Sequence, residues 1–230
     1  MKTHQITGTL LILGVIGVLV PYTVLTMTFD YPDVLRRAPG DILTAFHAGG
    51  VSLIWTWWAF AILGLPLLVA AVRLGQAYPV VRWGTTLGVI GLTVQMIGLL
   101  RWVFVVPVLA SAYVGGSEMT REAARVVFQA VHQYGGVVLG EHIGQLFTIA
   151  WTLSLVYAFA GTQPRWMTVL GCIASVIYLL AQAELFATVM PGFPVWEPAG
   201  FIGSTLWLVW LLLLGVRLGF VPASPARQGA

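Results

Sequence analysis

The sequence predicts an all-α, polytopic membrane helix bundle of six transmembrane helices, and three observations predict it. Only 8% of the 230 residues are charged while 59% are hydrophobic, against about 25% charged and about 45–50% apolar in an ordinary soluble domain. Too little polar material is left to cover a water-facing globule, so lipid is the surrounding that most of these side chains fit. The apolar residues fall in six long runs, Ile6–Met27, Val51–Leu74, Thr85–Leu109, Gly135–Ala160, Met167–Met190 and Phe201–Phe220, each near or above the roughly 20 residues that cross a bilayer as a helix. Finally, polar joints separate the runs, and the tightest of them, Gly75–Gly84 and Gly161–Trp166, make antiparallel neighbours of the helices they link.

Each element has its own warrant. The first run follows MKTHQ and begins like a secretory signal, but it is too long for an h-region and has no small-residue cleavage site, so a retained first helix is expected. In the connection Thr28–Gly50, Asp41 after Pro39-Gly40 can start a helix that runs through His47 into the second span. In the connection Ser111–Tyr134, Thr120 can cap a helix with Ala123, Val127, Ala130, Val131 and Tyr134 opposite Arg121, Glu122, Arg125 and Gln129. That periodicity predicts an amphipathic helix lying on the membrane or capping the bundle. No internal repeat relates the spans, which argues against a repeat-built transporter. One membrane domain over residues 1–221 is expected, with the small polar tail 222–230 disordered.

Charge gives the orientation. With the amino terminus inside, Lys2, Arg73, Arg82, Arg165, Arg217 and Arg227 lie on the cytoplasmic side, six basic residues against four outside: Arg36, Arg37, Arg121 and Arg125. The positive-inside rule therefore favours both termini in the cytoplasm. The acids Asp30, Asp33, Asp41, Glu118, Glu122 and Glu197 all fall outside. The net charge of +3 comes from scattered residues and includes no basic run, so nucleic acid is not an expected partner. A lone cysteine, Cys172, rules out an intrachain disulfide and a cysteine metal site, and the absence of any lysine other than Lys2 rules out a Schiff base within a span.

Ionisable residues inside a span are costly, and so mark where function is to be sought. Arg101, Glu141 and Glu184 each lie roughly 9–12 Å below the outer boundary, which groups them at one depth. Gly136, Gly140 and Gly144 form a small-residue stripe that lets a neighbouring helix come close. Beside it Glu141, Gln145, Thr148 and Thr152 make one polar face turned into the bundle, with His142 about 100° further round. The third span adds Gly88, Gly91, Gln95 and Gly98, and the fifth adds Ser175, Tyr178 and Gln182. A polar pocket between spans three, four and five follows, with Arg101, Glu141, His142, Gln145, Glu184, Gln182 and Gln95 as its ligand-binding residues. It would take a small polar molecule, a lipid headgroup or a proton. One arginine against two glutamates leaves one carboxylate without a partner, either protonated or in need of a cation.

Two other readings compete. His47, His132 and His142 all fall on the expected outer side and with Glu141 could ligate a metal or a haem, as in a membrane enzyme. Their spacing matches no metal motif, and on a continuous α-helix His132 and His142 would stand about 80° apart. The third reading is structural: Arg101 neutralises the glutamates and the cluster only fixes helix registry. Trp83, Trp166 and Trp196 read as interfacial anchors, while Trp55, Trp57, Trp58, Trp102 and Trp151 either line the pocket or pack against lipid. The small-residue stripes serve packing within the chain as readily as dimerisation, so they set no oligomeric state.

FDYPDVLR (Phe29–Arg36), LRWVFVVPVLA (Leu100–Ala110) and GEHIGQLFTIAW (Gly140–Trp151) resemble a bacterial six-helix integral membrane family of unknown function, the DUF4386 group. The resemblance covers nearly the whole chain and implies a multi-pass protein of the bacterial inner membrane. It carries over no activity, substrate or cofactor, but its motif residues Arg101, Glu141 and His142 coincide with the cluster derived above.

Overall fold

The computed structural model describes residues 3–220, and the described residues contain helices and no strand. The tail 222–230 lies outside them. Six helical spans are long and apolar enough to cross a membrane: His4–Phe29, Pro39–Ala77, Pro79–Gly115, Glu118–Phe159, Arg165–Ala187 and Ala199–Phe220. Large apolar side chains such as Leu13, Val20, Val69, Ile97, Val176 and Leu180 point outward from them, an amount of exposed apolar surface that only lipid accommodates.

Spans two, three and four run 39, 37 and 42 residues, about 55–63 Å at 1.5 Å per residue against a hydrocarbon core of about 30 Å. They therefore project well beyond the bilayer at the end opposite the termini, here called the distal end. Both large connections anticipated from the sequence are thus mostly helical extensions of the spans. Span two starts at Pro39, two residues before the expected Asp41, with proline in the first turn, and is interrupted twice. Gly50 takes φ 59° and ψ −153°, a left-handed conformation that glycine tolerates. A second break at Leu63–Gly64 precedes Pro66, whose ring and missing N–H interrupt the ladder. Span three breaks at Val105 ahead of Pro107 for the same reason.

The extension into span four differs from expectation in its cap. Ser117, three residues before Thr120, caps Glu118–Val131 by accepting a hydrogen bond from the Thr120 N–H. The buried face is Ala124, Phe128 and His132, whereas Ala123, Val127, Ala130 and Tyr134 are exposed. Below it, His132–Ile143 is a π-helix. Its i→i+5 bonding widens the turn, so residues four to five apart share a face instead of three to four. Gly135, Gly136 and Gly140 within it ease that conformation.

The spans form a closed ring. Each packs on its neighbours in the chain, one on two through to five on six, and six returns to pack on one. Glycines set the closest approaches: a Cβ on Gly8 would come to 2.4 Å from the Gly215 carbonyl, and one on Gly98 to 2.8 Å from Gly140 Cα. At the terminus end the ring is filled by an apolar cluster that includes Leu11, Val15, Leu67, Leu74, Trp151, Leu155, Leu211 and Leu214. At the distal end a second cluster of Leu25, Phe29, Ile42, Phe46, Trp57, Trp102, Val106 and Phe128 ties the helical extensions together. Between the two clusters the ring stays open.

Candidate functional site

A cavity of about 1080 Å³ occupies the ring, lined by residues of all six spans and of the connection between spans one and two. Tyr178, Trp207 and Leu208 form its floor and also belong to the apolar cluster at the terminus end. Exposed residues at the distal end, Asp30, Asp33, Gln129, Thr188 and Glu197, form its rim. The pocket expected between spans three, four and five is one wall of this larger space.

The connection folds back over the mouth as a strap. Phe29 anchors its start edge-on against Phe46, Trp57 and Trp102, with ring centroids 5.8, 6.1 and 5.6 Å apart. Asp30, at φ 54°, pairs with Arg37 and closes the strap on itself. Asp33–Arg36 is a turn of 3₁₀ helix that buries Val34 and Leu35, and the Leu35 carbonyl accepts a hydrogen bond from His132 Nε2 at 3.0 Å. These contacts aim Arg36 inward. Its Nη2 donates to Glu141 Oε2 and its Nε to Glu184 Oε1, both at 2.6 Å, joining the strap to spans four and five.

That bridge overturns the expected charge imbalance. Sorting residues by connection assigned Arg36 to the outer face, yet it pairs with both glutamates, and Arg36 and Arg101 together balance the two carboxylates. Burial pulls its pKa down, but Glu141 and Glu184 outweigh that and raise it above the ordinary arginine value. Tyr31, beside the bridge, is pushed well above the ordinary phenol value by burial and then by the Glu141 charge, so it remains a neutral hydroxyl.

Arg101 consequently stands apart. It is 8% exposed and lines the cavity. Its Nη1 donates to the Gly98 carbonyl, its guanidinium lies 5.3 Å from the centre of the Trp102 ring, and its Nε is sealed without a partner. No carboxylate forms an ion pair with it among the described residues. Gly136 gives it room, since a Cβ there would reach 2.5 Å from Nη2. Arg101 lies 22 residues from Pro79, Glu141 18 from Phe159 and Glu184 19 from Arg165, counted from the terminus-end limits of their spans. All three therefore sit about 27–33 Å along the helices, at one level as expected.

The other expected residues divide into two groups. Gln95 and Gln145 line the cavity, and Gln95 donates to Thr148 at 2.7 Å. Thr148 and Thr152 are buried as anticipated, and Thr152 accepts a hydrogen bond from Trp207 Nε1 at 3.0 Å. His142 and Gln182 lie behind the wall: His142 Nδ1 meets Gln182 Oε1 at 2.7 Å, and Gln182 also donates to Gln145. The three histidines do not converge. His47 is exposed, His132 is held on the strap and His142 faces span five. Among the described residues no group of three His, Cys, Asp or Glu side chains is placed to hold a metal ion. Trp57 and Trp102 stack at 4.6 Å and line the cavity, whereas Trp55 and Trp58 are exposed and Trp151 packs against Gly84 and Gly88.

The model of the domain of unknown function DUF4386 matches residues 6–215. The chain belongs to the DUF4386 family. No curated protein and no solved structure matches it. In this DUF4386 protein the three sequence stretches that carry the resemblance meet at one place. Phe29 of the first rests on Trp102 of the second, Arg36 of the first bonds Glu141 of the third, and Arg101 of the second lies over Gly136, just ahead of the third. Tyr178 lines the cavity as the fifth-span reading placed it, whereas sequence reasoning missed Arg36, Tyr31 and Tyr22 as cavity residues. The clue for the first two was their place in FDYPDVLR; nothing in the sequence singled out Tyr22.

Proposed function

We propose that this protein binds, and carries toward or across the membrane, a small molecule in the ring cavity. The observation that carries the reading is a space of about 1080 Å³, the size of a ligand site for a drug-sized molecule, kept open between two apolar clusters. Its walls combine aromatic surface from Trp57, Phe60, Trp102 and Trp207 with polar groups from Gln95, Arg101, Glu141 and Gln145, a mixture that suits an amphipathic ligand. The Arg36 bridge and the strap control its mouth. With six basic residues on the termini's side against four on the other, we place both termini in the cytoplasm of a bacterial cell and the cavity mouth on the outer face of its inner membrane.

Mass spectrometry of extracts from protein purified in an uncharged detergent tests this. A small molecule near one per protein is expected from the wild type, and much less from Ser204→Trp, which fills the cavity from span six. Equal yields from folded wild type and variant would overturn the reading.

A further inference from the structure

We infer that the ligand is an organic anion, a carboxylate or phosphate on an apolar body, with Arg101 as the group that recognises it. The inference rests on the cavity-binding reading and deepens it. Every other arginine on the cavity wall makes a direct ion pair: Arg36 with Glu141 and Glu184, Arg37 with Asp30. Arg101 alone is left, with a carbonyl and an indole face for company.

An arginine stays protonated at any physiological pH; the Glu141 charge acts on Arg101 through space, but no carboxylate touches it, so its guanidinium faces the cavity without a hydrogen-bonded counter-ion. Glu141, the nearest source of negative charge on span four, is engaged by Arg36. Asp33 and Glu197 are exposed at the rim and make no ion pair with Arg101. A planar guanidinium presents paired N–H donors that match a carboxylate or phosphate. The aromatic remainder of the wall, Trp57, Phe60 and Trp102, suits a hydrocarbon body rather than a fully hydrated ion.

Calorimetric titration of the wild type in dodecyl maltoside tests the inference with dodecanoate, dodecyl phosphate, dodecanol and dodecyltrimethylammonium as probes. At least one of the two anions should bind about ten-fold or more tighter than dodecanol, the worth of a charge-assisted hydrogen bond, and the cation should bind weakest. The preference should fall below about two-fold in Arg101→Gln and persist in part in Arg101→Lys. The stronger of the two anions identifies the acid group. Inorganic phosphate binding as well as dodecyl phosphate would show that the ligand is a free anion without an apolar body, against the inference. Should dodecanol match both anions, the anion assignment fails while cavity binding stands; should no probe bind the folded wild type, both fail. Because the wild-type comparison decides alone, poor folding of a variant leaves the test intact.

Discussion

Arg36→Gln is the substitution that probes the site's construction most sharply. It removes a single guanidinium that holds Glu141 and Glu184 at 2.6 Å each, with side-chain exposures of 28% for Arg36, 19% for Glu141 and 35% for Glu184. A fully buried pair broken on one side costs about 3–5 kcal/mol and an exposed one less than about 1 kcal/mol. Exposures of this size place the bridge between those limits, at about 2–3 kcal/mol. For a chain of this length that lowers the apparent Tm by roughly 4–12 °C, measured by tryptophan fluorescence during thermal unfolding in detergent. The glutamates left behind repel each other, so the triple variant Arg36→Gln, Glu141→Gln, Glu184→Gln should recover part of the loss, with a coupling of about 1 kcal/mol or more. An unchanged Tm for Arg36→Gln, or a coupling of the glutamates to Arg101 instead, would refute the bridge.

The strap's apolar anchor should matter as much: Phe29→Ala empties a site bounded by Phe46, Trp57 and Trp102 and should cost about 3–5 kcal/mol in the same assay. Gly98→Val should disrupt the approach of spans three and four, since even a Cβ would come to 2.7 Å from the Gly135 carbonyl; size-exclusion profiles would show loss of folded protein. His47→Ala removes an exposed side chain and should leave Tm within about 1 °C of wild type. Tyr31 has its pKa raised in the folded state, so the proton it retains stabilises the fold fully below the ordinary tyrosine value, and this contribution falls as the pH rises beyond it. Tyr31→Phe should therefore lose less stability than wild type between pH 9 and 11, a range set around the ordinary phenol value of about 10, as followed by unfolding at each pH.

How much of this was legible in the sequence differs between fold and site. Apolar runs of about 20 residues identify spans because the bilayer imposes that length, and Pro39, Pro66 and Pro107 end or kink helices for covalent reasons. The inward turn of Gln145, Thr148 and Thr152 followed from helical periodicity. The failures have physical causes too. Thr120 looked like the cap of the helix ahead of span four, but Ser117, a side chain of the same capping type three residues upstream, takes that place. The π-helical pitch of His132–Ile143 put His132 and Glu141, nine residues apart, on one cavity wall where α-helical counting sets them on opposite sides. Arg36 lies 105 residues from Glu141 and 148 from Glu184, and no local signal states that a connection turns back into the ring.

The claim on which the rest depends is that the ring encloses a cavity open only at the distal end. Single cysteines in a Cys172→Ser background test it in intact cells with a membrane-impermeant maleimide. Ser204→Cys on the cavity wall should react from the outer face, while Leu211→Cys, seven residues deeper in span six and fully buried in the closing cluster, should not. Protection of Ser204→Cys, or equal labelling of both positions, would contradict the account.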